Sequence, residues 1–209
     1  MKISYCITVC NEFREIQSLM TIMLENIDLT EDEIIILCDT TNTNEETIKV
    51  CSAYAEQKGI IFIQDKFDNH FANWKNKFKE HSTGDYIFQI DADEIPSSYL
   101  LKILKEFIGY NQHIELFWIP RENYVDGITK EHIIKWRMEV DEKGRINFPD
   151  YQARLFKNSP DIKWSNKVHE IITGTTKQAA IPPETKFCLL HEKTIERQEK
   201  QNEYYETLQ

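Results

Sequence analysis

GDYIFQIDADEIP, residues Gly84 to Pro96, decides how this chain is read. The apolar run from Tyr86 to Ile90 is expected to be a buried strand, and it ends abruptly in three carboxylates, Asp91, Asp93 and Glu94. Successive residues of an extended chain point to opposite faces, so Asp91 and Asp93 are expected on one side, with the small Ala92 turned away. Like charges held that close repel one another and favour protonation unless a cation, or a hydroxyl-rich ligand, sits between them. A surface strand end with solvated acids is the plain alternative. The clustering of three acids directly at the end of an apolar strand favours a ligand.

Upstream of that strand the pattern alternates between strand and helix. Ile3 to Val9 is apolar and β-branched; Asn11 is placed to cap a helix reaching about Glu25; Glu33 to Cys38 holds the run IIIL, a second buried strand. Asn44, followed by Glu45 and Glu46, starts a helix that Gly59 stops before a strand from Ile60 to Gln64. Phe71 to Glu80 has helical period and leads into the acid-bearing strand. Strands in this order, with helices between them, predict a mostly parallel sheet covered on both faces, an α/β fold. In such sheets ligands sit at the carboxyl ends of the strands near the point where strand order reverses. Four polar strand ends, Thr8 to Glu12, Asp39 to Thr41, Asp65 to His70 and Asp91 to Glu94, are therefore expected on one edge.

Downstream the pattern changes to α+β, with a helix from about Ser98 to Tyr110 and strands at Ile114 to Pro120, near Ile133 to Val140, and at Tyr151 to Phe156. The charged stretch from Glu192 to Gln209 has helical period and is expected to pack Ile195, Tyr205 and Leu208 or to fray. We expect one domain, with a ligand-binding half at 1–95 and a smaller half at 96–209.

At 209 residues the chain is long enough for one real core and short for two. A formal net charge of -10 argues against a large phosphate-tracking surface, so a nucleic-acid partner is not favoured. There is no transmembrane-length stretch and no signal-peptide anatomy at MKISYCITVCNE, so a cytoplasmic protein is expected. The five cysteines, an odd number without a C-x-x-C pair, suit reduced thiols. The six glycines are scattered, and neither G-x-G-x-x-G nor a P-loop occurs. Dehydrogenase and P-loop NTPase readings therefore fall away. If the edge binds a diphosphate, a metal at Asp91 and Asp93 must do much of the neutralising.

With those features assembled, the chain resembles the family 2 glycosyltransferases of the GT-A fold. TVCNE at Thr8 to Glu12 is similar to the family's first-strand signature. FDNHFANWKNKFKEHSTGDYIFQIDADE, from Phe67 to Glu94, resembles its run into the DADE acids, and YQARLFKN, WSNKVHE and LLHEK resemble later blocks in the same order. The likeness covers roughly residues 1 to 195. One departure stands out: the family's D-D/G-S-x-D-x-T run is here CDTTNTNEET, which keeps Asp39 and lacks the glycine and serine.

The resemblance implies a Rossmann-like, mostly parallel central sheet with a smaller α+β acceptor half, a nucleotide-sugar donor and a divalent metal. It makes Asp93 the direct metal ligand and places Asp91, with Ala92 beside it, against the metal through water or a ribose hydroxyl; Glu94 stands behind them. Oxygen ligands suit Mg²⁺ or Mn²⁺, and His191, which resembles the family's C-terminal histidine, would favour Mn²⁺; a histidine that is simply hydrogen-bonded is the other reading. Asp39 accepts from a uracil imide or caps a helix. Thr8, Asn11 and Glu12 line the base pocket, Asn11 competing as an N-cap. Lys75 and Asn76 fall where the family faces the nucleotide. Arg154 holds the diphosphate or pairs with an acid.

Glu170, in VHE, is the candidate catalytic base, with Asp150 as the alternative. His169 is harder to assign, because on an extended segment it points away from the side Glu170 faces. Trp118, Trp136 and Trp164 either stack acceptor sugars or are buried.

The implied activity is metal-dependent, inverting transfer of a sugar from a nucleoside diphosphate donor, UDP-linked, to an acceptor hydroxyl. A sugar-phosphate nucleotidyltransferase is the enzymatic rival, and a catalytically degenerate nucleotide-sugar-binding module the non-enzymatic one. Glycan, lipid-linked, protein and modified nucleic-acid acceptors all stay open.

Overall fold

A mostly apolar run of seven residues, Ile3–Val9, forms β1 inside the sheet. The structure, a computed structural model, describes the backbone of residues 1–208 and the side chains of residues 1–203. Around β1 the first half alternates as expected: α1 (Phe13–Asn26), β2 (Glu33–Asp39), α2 (Glu45–Ala55), β3 (Ile60–Asp65), α3 (Phe71–His81) and β4 (Tyr86–Asp91). Strands β1 to β4 are parallel, in the order β3-β2-β1-β4.

Period-two side-chain alternation divides their residues between two cores. Ile3, Tyr5 and Ile7 of β1, Ile34 and Ile36 of β2, and Phe88 and Ile90 of β4 face one core, where α1 contributes Ile16, Leu19, Met20 and Met23. Cys6, Ile35, Leu37 and Ile87 face the other, under Ala72, Trp74 and Phe78 of α3. Each such aliphatic side chain, fully buried, is worth roughly 1.5–3 kcal/mol of transfer free energy. Thr8, Asp39, Gln89 and Asp91 share the parity of the second set, so they emerge on the α3 side of the sheet.

The second half joins the same sheet. After β5 (Glu94–Pro96) and α4 (Ser98–Tyr110) come β6 (Leu116–Asp126), α5 (Lys130–Trp136) and β7 (Ile146–Lys157). The hairpin β8 (Lys163–Ser165) and β9 (Ile171–Thr173), β10 (Gln178–Ala180), β11 (Leu189–Thr194) and α6 (Ile195–Leu208) complete the chain. Antiparallel β7 pairs with β4, and the path continues β7-β6-β11-β5, with β10 also on β6. Strand order reverses between β1 and β4, and there Thr8 lies in register with Asp91.

Three expectations are corrected. The segment near Ile133 to Val140 is helical where a strand was expected: Thr129 and His132 form a capping box, and Arg137 ends the helix at φ 53°. Adjacent isoleucines imitate a β pattern there, and only Val140 forms a bridge, to Ile146. Asn11 is not an N-cap, since α1 begins one residue later behind Glu12 without a side-chain cap. The C-terminal segment starts as β11 before turning into α6; Tyr205 and Leu208 lie outside the described side chains. No helix among the described residues is long and apolar enough to cross a membrane.

Candidate active site

The carboxyl ends of β1, β2 and β4 open into a cavity of about 870 Å³, walled on the far side by β6, β7, β11 and α6. Its size suits a ligand of nucleotide-sugar class. Regular pleating sets the lining: Asp150, Gln152 and Arg154 alternate along β7, Arg121 and Asn123 along β6, and His191 and Lys193 along β11. Register brings Arg121 opposite Asp150 and His191 opposite both Asn123 and Glu94.

The three acids do not share one extended strand. β4 stops at Asp91, Ala92 and Asp93 form a turn, and β5 begins at Glu94. Ala92 is buried and donates its N–H to Thr8 O at 3.1 Å. Asp91 and Asp93 nevertheless both line the cavity. Their partners separate their roles. Asp91 Oδ1 accepts from Thr8 Oγ1 at 2.7 Å and Gln89 Nε2 at 2.8 Å, while Oδ2 pairs with Arg154 Nη2 at 2.5 Å. Lys75 Nζ stands 3.9 Å away. Burial alone would push the Asp91 carboxyl up, but the charges of Arg154 and Lys75, with the Thr8 hydrogen bond, hold it well below the usual carboxylate range. Glu94 is fully buried, between Arg121 at 2.8 Å and Arg154 at 2.5 Å.

Arg154 therefore pairs with acids, Asp91 and Glu94, and its charge is matched before any ligand arrives. Such a buried network is strongly destabilised when one member is removed, because the remaining charges lose their compensation. Its pH dependence has a definite sign. A depressed folded-state value stabilises the fold above the ordinary carboxylate range, and that contribution is lost as pH falls through the folded value. Below about pH 4 the melting temperature of the wild type is expected to fall more steeply with pH than that of Asp91→Asn. Equal slopes by calorimetry would show that Asp91 is not held ionised by its neighbours.

Asp93 is the acid with capacity left. Its Oδ2 lies 3.2 Å from His191 Nε2 and 3.2 Å from Arg197 Nη2. Burial would raise its carboxyl, and the His191 hydrogen bond and neighbouring positive charge bring it below the usual value. On the other side of the ring, His191 Nδ1 meets Asn123 Oδ1 at 2.8 Å, while Asn123 Nδ2 donates to Asp150 at 2.8 Å. The amide so oriented requires the proton on Nδ1. Nε2 is then left facing a carboxylate oxygen, and a proton or a cation must lie between them. Two donors about 3 Å apart, one with its tautomer fixed from behind, fit a divalent ion. Among the described residues no three His, Cys, Asp or Glu side chains converge on one point, so a ligand or water would complete the coordination.

The other expected residues divide. Asp39 Oδ1 accepts from the N–H groups of Thr41 at 2.8 Å and Phe67 at 3.1 Å, ordering the loops after β2 and β3. It caps no helix; α2 is capped by Asn44. Asn11 lines the cavity, as does Glu12, whose Oε2 takes the N–H groups of Cys10 at 2.8 Å and Asn11 at 3.0 Å. Lys75, buried on α3, pairs with Glu170 Oε1 at 2.6 Å. Asn76 is a correction: its amide exchanges two hydrogen bonds with the Trp164 backbone, pinning α3 to β8, and it does not line the cavity. His169 does line it beside Glu170, because its φ of 53° breaks the extended alternation expected there. Trp164 is core, Trp118 bonds Gln178, and Trp136 stacks on His132.

Sequence reasoning missed two parts of the wall. Phe67, Phe71 and Trp74 form an aromatic cluster beside Asp39, with centroids 4.8 and 5.9 Å apart. Their place just after the end of β3 was the available signal. Lys193 and the α6 residues Arg197 and Gln201 also line the cavity, and burial brings the Lys193 ammonium down to about 8. Charged helical period looked like a solvated surface.

The profile of the family described as Glycosyl transferase family 2 matches residues 4–170. No curated protein matches the sequence. Among solved structures, S. aureus TarS 1–349 superposes with a TM-score of 0.65 at 14% identity, covering 92% of this chain and 60% of that one. The same S. aureus protein in complex with UDP-GlcNAc gives 0.66 at 14% identity, with 92% and 58% covered. The Pyrobaculum calidifontis mannosyltransferase PcManGT, in complex with GDP-Man and Mn²⁺, gives 0.50 at 14% identity, with 57% and 35% covered. The chain thus spans about three-fifths of TarS 1–349. The curled sheet is of the GT-A type, and with four-strand parallel order, acid-ended β4 and a profile match over most of its length, the chain belongs to glycosyl transferase family 2.

Proposed function

We propose that this protein transfers a sugar from a UDP-linked donor to an acceptor hydroxyl with inversion, and that Asp93 and His191 hold a divalent ion, Mn²⁺ or Mg²⁺, at the diphosphate. The observation that carries this is the pairing of Asp93 Oδ2 with His191 Nε2, 3.2 Å apart, in a cavity at the reversal of strand order. The solved complexes of TarS with UDP-GlcNAc and of PcManGT with GDP-Man and Mn²⁺ support a nucleoside diphosphate sugar as donor, the first of them a UDP-linked one. When bound, the ion supplies positive charge beside the departing diphosphate.

Residues 1–95 hold the nucleotide in this proposal. Asp39 Oδ2, with the Cys10 thiol 3.9 Å away as its hydrogen-bond partner among the described residues, accepts the uracil imide N–H, and the Phe67 and Trp74 rings flank the base. Thr8 and Gln89 hold Asp91 in place at the edge of the nucleotide site. Residues 96–209 hold the acceptor. Glu170 takes the hydroxyl proton as the acceptor oxygen bonds to the anomeric carbon and the bond from that carbon to the diphosphate oxygen breaks, its electron pair leaving with UDP. Asp150 is the weaker candidate. Its Oδ2 already accepts from Arg121 and Asn123, and although burial pushes its carboxyl up, Arg121 brings it below the usual range.

The turn after β1 weighs against a nucleotidyltransferase. Its N–H groups at Cys10 and Asn11, which would have to cradle a triphosphate, are taken by the Glu12 carboxylate. Incubation with UDP-sugars and Mn²⁺ is expected to release UDP and to raise the melting temperature in a Mn²⁺-dependent way. Release of pyrophosphate from a nucleoside triphosphate and a sugar phosphate would establish the rival instead, and no Mn²⁺-dependent shift with any UDP-sugar would leave a degenerate module.

A further inference from the structure

Arg197 occupies an unusual position for a residue on a charged surface helix. Its Nη2 lies 3.2 Å from Asp93 Oδ2 and 3.1 Å from Glu12 Oε1, and its Nη1 3.1 Å from Glu15 Oε1. One planar guanidinium thus ties α6 to the turn after β1, to the start of α1 and to the acid at the centre of the cavity. Two further attachments of α6 through its described side chains are polar: Gln201 accepts from Lys193 Nζ at 2.9 Å, and Glu199 stands 3.5 Å from His132. Among its described residues none is a buried apolar side chain; Ile195 is only half-buried and rests against Gly127. Docking by charge over a polar cavity, as residues 195–203 show it, is the kind of contact whose local opening costs least.

We infer that Arg197 is a positioning residue that stands in for the metal: it holds Asp93 and docks α6 while the site is empty, and it must release Asp93 when the divalent ion binds. The inference rests on the proposed role of Asp93 and His191 as ion ligands. An ion bound to Asp93 Oδ2 at ~2.1 Å would stand within about 5 Å of the Arg197 Nη2 that now touches the same oxygen. Two cations on one carboxylate oxygen in this partly exposed site weaken one another's hold on it. Arg197 keeps Glu12 and Glu15 as alternative partners, so its release from Asp93 leaves no orphaned charge. Linkage makes the coupling reciprocal: the factor by which docked Arg197 weakens the ion is the factor by which the ion loosens docked α6.

The test is Mn²⁺ binding to the full chain without nucleotide, followed by the EPR signal of free Mn²⁺, with amide exchange over residues 195–203 as a second readout. Arg197→Gln is expected to bind Mn²⁺ about three- to tenfold more tightly than the wild type, the range of one partly exposed ion pair. Mn²⁺ is expected to speed exchange in α6 of the wild type severalfold and to leave the already faster α6 of Arg197→Gln unchanged. A merely structural arginine would not tighten metal binding when removed. If Arg197→Gln is unfolded at the titration temperature, Arg197→Lys reports instead, with a smaller tightening, because an ammonium cannot bridge all three acids. Binding that Asp93→Asn loses but that neither Arg197 variant tightens would overturn the competition and leave the ion site standing. Absence of any Asp93-dependent Mn²⁺ binding in the wild type would overturn both.

Discussion

Asp93→Asn is expected to lower donor turnover by ~10³-fold or more while leaving the melting temperature nearly unchanged. The two halves of that expectation come from different contacts. Asparagine has the shape of aspartate and can still accept from Arg197, so the turn between β4 and β5 keeps its packing on the buried Ala92. What disappears is the charge that faces His191 Nε2, and with it half of the only donor pair proposed for the ion. Losing stabilisation of a departing diphosphate costs several kcal/mol of barrier. UDP release in Mn²⁺, measured beside a thermal melt, separates chemistry from folding. Wild-type activity that persists in excess EDTA would remove the ion from the mechanism. The neighbouring acid is expected to behave differently: Asp91→Asn leaves buried Arg154 with only Glu94, which Arg121 already shares, so stability and activity should fall together.

That contrast marks how far the sequence could be read. Alternation of apolar β-branched runs with capped helices made β1 to β4 and their parallel order legible, because each pattern is local and period-two strands need no distant partner to be recognised. The strand-end acids were legible for the same reason. Which acid keeps a free lone pair was not, since Asp91 is saturated by Arg154, which lies 63 residues later on β7. The same limit explains Asn76, whose partner, Trp164, is 88 residues away. His169 misled because a single left-handed φ of 53° cancels alternation, and nothing in V-H-E announces it. Arg197 went unnamed because helical charge patterning carries no record of what the helix covers. Long-range electrostatic pairing therefore decided the site, while local periodicity decided the frame that presents it.

Glu170→Gln is expected to depress turnover by ~10²–10⁴-fold, the usual worth of general-base help, with donor affinity nearly intact. Glu170 sits on the loop between β8 and β9 and lines the cavity on its α3 side. Lys75 anchors its Oε1 at 2.6 Å, and Oε2 has no partner among the described residues. An anchored carboxylate with one free oxygen is suited to receive a proton from a hydroxyl delivered from outside. Glutamine keeps the length and can still accept from Lys75 through its carbonyl, but it cannot take the proton. Calorimetric titration with UDP measures donor-side binding, and single-turnover UDP release with a supplied acceptor measures chemistry. Loss of UDP affinity and chemistry together would make Glu170 a structural partner of Lys75, and Asp150→Asn would then be expected to show the selective loss. A further discriminator lies in slow hydrolysis of the donor by water. If Glu170 activates the incoming nucleophile, hydrolysis should fall in step with transfer, because water must lose a proton at the same place; a residue that only docks the acceptor would leave hydrolysis untouched.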